Sequence, residues 1–101
     1  MTEFVGVWNA TLVTPIGTLI AVFDITEVDG VLGGVAKTDA EAVDILDAVA
    51  DGNRLTWTQH VTTPMKLTLK FDVTVDGDTM TGGYKAGIFP TSKVNATRAN
   101  A

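Results

Sequence analysis

From Lys66 to Val75 apolar and polar residues alternate without a break. Leu67, Leu69, Phe71, Val73 and Val75 fall on one side, and Lys66, Thr68, Lys70, Asp72 and Thr74 on the other. A period of two marks a strand with one face buried. The same alternation groups Phe4, Gly6, Trp8, Ala10 and Leu12, then Leu19, Ala21, Phe23 and Ile25, then Leu55, Trp57, Gln59 and Val61. Asp29-Gly30, Asp51-Gly52 and Asp76-Gly77 separate these runs as hairpin signals, because glycine tolerates positive φ. Thr14-Pro15-Ile16-Gly17 and Thr63-Pro64-Met65-Lys66 read as turns with proline second. The pattern predicts strands at 3–13, 18–27, 31–37, 42–50, 54–62, 67–75, 79–86 and 92–99. Short, regular links argue an all-β, antiparallel, up-and-down meander.

The chain resembles itself at a spacing of 48 to 49 residues. Trp8 and Pro15 match Trp57 and Pro64, and Val13-Thr14-Pro15-Ile16 matches Thr62-Thr63-Pro64-Met65. Phe23-Asp24-Ile25-Thr26 matches Phe71-Asp72-Val73-Thr74, and Val28-Asp29-Gly30 matches Val75-Asp76-Gly77. Leu32, Gly34 and Lys37 match Met80, Gly82 and Lys85. Two copies are too few for a solenoid. The repeat spans approximately 4–52 and 53–101 of one domain, 1–101. Two four-strand units supply eight strands, which close a small barrel.

One stretch conflicts with this scheme. Thr38-Asp39-Ala40-Glu41 is a capping box ahead of Ala42 to Val49 and Gly52, so local propensity says helix. The repeat sets it against Phe89 to Asn95, where Pro90 forbids a helix interior. A strand is the expectation, with a short helix across the barrel mouth as the alternative.

The groups containing Trp8, Phe23 and Trp57 are assigned to the interior, joined by Leu32, Ala36, Met80, Tyr84, Val94, Ala96 and Arg98. The opposite face of the first half is also apolar, at Val5, Val7, Val13, Ile20 and Val22. Its counterparts in the second half include Arg54, Thr56, Thr62, Lys70 and Asp72. A strand apolar on both faces is normally covered on both. A homo-oligomer is expected, most simply a two-fold dimer; the alternative is a solvent-facing surface of β-branched residues.

With 46% hydrophobic and 19% charged residues, the 101-residue chain is too apolar to be disordered. A net charge of −5 and scattered basic residues argue against nucleic-acid or anionic-membrane partners. Having no cysteine removes disulfides, thiolate metal sites and cysteine nucleophiles. No secretory pattern opens the chain, and no apolar run approaches the roughly 18 residues of a membrane helix. A cytoplasmic location is the expectation.

Gly6-Val7-Trp8 on the first strand and Arg98 on the last resemble the calycin superfamily of lipocalins and avidins. There a G-x-W packs against a basic residue at the closing end of the barrel. Gly6-Val7-Trp8-Asn9 also looks like the start of an avidin-type barrel. Over nearly its whole length the chain resembles small bacterial β-barrel domains, alone or attached to hydrolases, with T-P-x-G turns, V-D-G turns and a terminal T-x-R. The resemblance implies a barrel and no particular reaction. The chain is shorter than a lipocalin, without disulfide or C-terminal helix. Beyond Asn9 it lacks the avidin polar constellation, so no biotin site is carried over.

Candidate chemistry is sparse. His60 is the one histidine, able in principle to act as a base; alternation places it outside, where a solvated histidine is the plainer reading. Asp44 and Asp47 would act as acids or bases only if one faced inward; two surface carboxylates is the simpler view. Trp8, Phe23, Trp57, Phe71 and Tyr84 would line the barrel, with Gln59 and Arg98 as polar anchors. Eight strands leave an interior that is either just filled or holds one small ligand. Gly6, Gly33, Gly34, Gly82 and Gly83 either relieve crowding or open space. Lys37 and Lys85 match across the repeat as a rim pair or as solvated strand ends. There is no P-loop, no metal set and no nucleophile elbow around Ser92.

Three functional expectations follow. The first is binding of a small apolar or aromatic molecule in the interior. The second is a cofactor-free lyase, isomerase or cyclase that uses the cavity for proton transfer, with His60, Asp44, Asp47 or Tyr84 as its group. The third is a structural or assembly domain with a filled barrel. No cofactor is expected in any of them.

Overall fold

The computed structural model describes residues 4–14, 17–62, 66–87 and 90–99. The proline turns at 15–16 and 63–65 lie outside them. Eight strands follow in order: β1 Gly6–Thr14, β2 Gly17–Val28, β3 Val31–Lys37, β4 Ala42–Asp51, β5 Arg54–Val61, β6 Leu67–Asp76, β7 Thr79–Ala86 and β8 Ser92–Arg98. Each pairs antiparallel with the next, and β8 returns to β1, closing an up-and-down barrel. Closure leaves no exposed sheet edge among the described residues.

The register places the matched residues alike. Trp8 pairs with Phe23 as Trp57 pairs with Phe71. Ile25 pairs with Gly34 as Val73 pairs with Gly82. At both glycines the backbone of the preceding strand crosses closely: a Cβ on Gly34 would strike the carbonyl oxygen of Asp24, and one on Gly82 that of Asp72. Only glycine permits such an approach, so these two positions relieve crowding and open no cavity. The hairpin loops correct one detail of the sequence alignment. Asp29-Gly30 is a two-residue loop with both φ positive, the type I′ requirement. Near the other two signals the loops are Gly52-Asn53 and Gly77-Asp78, because Asp51 and Asp76 remain paired, with Arg54 and Thr79.

The 38–50 segment is strand from Ala42 onward, not helix. The capping interaction nevertheless forms. Thr38 Oγ1 accepts from the amides of Ala40 and Glu41 at 3.2 and 3.3 Å. Glu41 then turns outward from the would-be helix, and its carboxylate accepts from the amide and hydroxyl of Thr62. A device that normally starts a helix here shapes a tight turn. Further along β4 the register slips between Leu46 and Val49, where Asp47 adopts φ 53. This bulge lets Ile45 and Ala48 both reach the core, although their separation in sequence breaks alternation.

Inside, the core is continuous from Phe4 and Trp8 through Phe23, Trp57 and Phe71 to Tyr84. Leu19 has the inward phase expected of it but sits at the open end and is 43% exposed. Outside, Val5, Val7, Val13 and Ile20 are exposed.

Candidate functional site

The residues singled out for an interior site do converge. Trp57 stacks on Phe71 with centroids 4.8 Å apart and an interplanar angle of 8°. Phe71 stacks on Tyr84 at 5.2 Å. Phe23, from the opposite half, meets Trp57 and Phe71 edge-on at 5.2 and 5.6 Å. Edge-to-face and offset geometries are the favourable ones for aromatic pairs. Each ring therefore occupies the face that a guest would use.

A side chain lining a space large enough for one water molecule has surface that water can touch. Trp8 and Met80 have 0%, Phe23, Leu55, Phe71 and Val73 1%, and Trp57 2%. These side chains leave no room among themselves for a guest. Their polar atoms are satisfied internally. Trp57 Nε1 donates to Gln59 Oε1 at 2.7 Å, a partner supplied by the one buried polar or charged residue among the described residues. Trp8 Nε1 donates to the Phe4 carbonyl at 2.9 Å. Tyr84 Oη donates to the Val13 carbonyl at 2.8 Å, tying β7 to β1 across the mouth. Burial pushes the Tyr84 phenol above its ordinary value, with a hydrogen bond to Ser92 acting the other way.

Arg98 lies at the closing end, with its guanidinium 4.3 Å from the Trp8 ring centre. Its Nη1 donates to the Val5 carbonyl at 2.8 Å and its Nε to Asp78 at 2.9 Å. The missing side chain at Gly6 is what admits Nη1 here. Arg98 is thus a lid over Trp8, joining β8 to the loop before β7 by charge-assisted bonds. The G-x-W and arginine arrangement read from the sequence is present as a structural clasp.

The remaining candidates are outside. His60 is exposed, with Nδ1 3.2 Å from Thr68 Oγ1. Asp44 and Asp47 are exposed on β4, and neither faces the core. Lys37 is exposed at the end of β3 and Lys85 near the end of β7.

Sequence reasoning missed a cleft of about 510 Å³ on the outer wall. The outward side chains of Thr56, Thr58, Lys70, Asp72 and Lys85 form its floor, with Asp47 and Thr91 also lining it. Arg54 grips Asp72 through two hydrogen bonds, Nε to Oδ1 at 2.8 Å and Nη2 to Oδ2. That bond lowers the Asp72 carboxyl below its ordinary value and raises the Arg54 guanidinium. The signal available in sequence was the polar outer phase of 66–74, but it gave no hint of concavity.

No helix of the described residues is long and apolar enough to cross a membrane. Compared with known proteins, the chain matches no family model, no curated protein and no solved structure.

Proposed function

We propose that this domain is an assembly module: a filled barrel that supports a binding surface on its outer wall, where a second copy of the chain docks. The observation that carries the reading is the packed interior, in which the largest side chains leave no surface for a guest. A rigid, satisfied core suits a scaffold, whereas a binding barrel keeps part of its lining free.

The docking face is the outer wall of β1, β2 and β3. Val7, Val13, Ile20, Val22 and Val35 lie there with Asn9 and Thr11 between them, and Asp24 and Lys37 are its charged members. The opposite wall, β5 to β7, carries Arg54, Lys70, Asp72, Asp76 and Lys85. With a net charge of −5, two copies repel over most orientations. They approach at least cost where charge is sparse and apolar area is available. A two-fold contact of this face with itself meets both conditions.

Sedimentation velocity and light scattering at high micromolar concentration test the reading. The wild type is expected to be a dimer. The double substitution Ile20→Lys and Val22→Lys should yield a monomer with unchanged circular dichroism. A wild type that stays monomeric at that concentration overturns the proposal.

A further inference from the structure

The cleft on β5 to β7 lies on the wall away from the proposed docking face, and Trp57, Phe71 and Tyr84 line it between the outward residues of the same strands. Its chemistry is organised in two rows set by the strand register. In the first, Thr58 pairs with Lys70, and Lys70 with Lys85. In the second, Thr56 pairs with Asp72, and Asp72 with Gly83.

The first row puts two ammonium groups side by side on adjacent strands. Like charges directly opposite one another destabilise a sheet. Among the described residues the ion pairs are Arg54 with Asp72 and Arg98 with Asp78, so neither lysine has a carboxylate partner. The nearest acid in the floor, Asp72, is engaged bidentately by Arg54 and offers the lysines less of its charge. In a chain of net charge −5, the floor of this one cleft is left cationic. In the second row the space above Gly83 is taken by Thr91, whose Cγ2 a Cβ there would strike, and Thr56 and Thr58 are half-buried at the base. The rim carries a hydroxyl from Thr91 and a carboxylate from Asp47.

We infer that this cleft binds a small hydroxylated molecule bearing one phosphate or sulfate group, with Lys70 and Lys85 clamping the oxyanion. A tetrahedral oxyanion accepts from both ammonium groups and from the Thr58 hydroxyl, and removes the repulsion between the lysines. Hydroxyls on the remainder of the ligand meet Thr56, Thr91 and the Asp47 carboxylate, which repels a second anionic group and so favours a singly phosphorylated or sulfated ligand. The volume of about 510 Å³ accommodates such a molecule, within the size range of small-ligand sites.

Glycerol 3-phosphate, inorganic phosphate, inorganic sulfate and glycerol, titrated at constant ionic strength, are the probes. Amide chemical shifts of 15N-labelled protein are the readout. Glycerol 3-phosphate is expected to move amides of β5, β6 and β7 around the cleft in a saturable way. Inorganic phosphate and sulfate should move the same amides with weaker affinity, and glycerol alone should move none. The double variant Lys70→Gln, Lys85→Gln should bind at least tenfold more weakly with its spectrum otherwise intact. Lys85→Glu separates binding from folding: it sets opposite charges across β6 and β7, so the protein should resist urea at least as well while losing the response. Equal shifts around Lys37, Lys66 and Lys93, an undiminished response in the double variant, or no saturable shift with any anion would each overturn the inference.

Discussion

Tyr84 is the one tyrosine of the chain, and three of its features are coupled. Its ring stacks on Phe71, its hydroxyl holds the Val13 carbonyl, and burial disfavours its phenolate. A group whose pKa is raised on folding stabilises the fold fully below its unfolded value and loses that contribution as pH rises through the folded one. Free tyrosine ionises near pH 10. The phenolate absorbance of the native protein should therefore titrate above that value, and its appearance should coincide with loss of the near-ultraviolet circular dichroism of the packed rings. Tyr84→Phe should cost about 1 kcal/mol at neutral pH by stranding the Val13 carbonyl, and should flatten the alkaline loss of stability relative to wild type. A midpoint at or below the free value would show that the hydroxyl is not held as described. At this scale the sequence was informative about facing. Alternation alone put Trp8, Phe23, Trp57, Phe71, Tyr84 and Gln59 inside, since a closed wall has only two sides. It was silent on filling, because whether rings face one another or a void depends on how eight strands bring them together.

At the scale of elements, β4 is where local and global signals part. Thr38 Oγ1 accepts the amide hydrogen bonds of a helix N-cap, while the Glu41 carboxylate goes to Thr62 instead of back to the Thr38 amide, and the chain continues as a strand because β3 and β5 offer β4 two ladders at once. Tertiary pairing outweighs propensities that differ by only tenths of a kcal/mol per residue. The bulge is the second thing hidden from pattern reading. A one-residue insertion changes the phase of alternation, so the facing of Asp44 and Asp47 could not be settled by counting, and both prove to be outside. Asp47 has φ 53, a conformation that aspartate tolerates and β-branched residues avoid. Asp47→Gly should leave stability unchanged or slightly raised, whereas Asp47→Val should cost about 1–2 kcal/mol. Chemical denaturation of the two variants checks this. A valine variant as stable as the glycine variant would mean that the bulge relocates freely.

At the scale of the whole molecule, the matched halves raise the question of whether either is a folding unit. Residues 1–52 would hold β1 to β4 and leave β1 and β4 with open edges, since β1 takes its second partner from β8 and β4 from β5. The core is divided as well. Phe23 belongs to the first half and closes on Trp57 and Phe71 of the second, and the clasp over Trp8 comes from Arg98. A four-strand sheet deprived of these covers one face with nothing and exposes two unpaired edges, the condition that promotes association of strands. Neither half should be a folded monomer in isolation. Mixed in equal amounts, 1–52 and 53–101 should rebuild the barrel, because the two missing ladders are those each fragment supplies to the other. Amide spectra of the separate fragments and of the mixture distinguish the outcomes: poor dispersion or self-association alone, and the pattern of the intact chain together. A well-dispersed monomeric spectrum from 1–52 alone would mean that four strands suffice to bury their own interior, and the aromatic contacts across the halves would then be incidental to folding. Recovery of the intact pattern would instead place the cooperativity of this barrel in its closure, where Trp8 pairs with Arg98 across almost the full length of the chain.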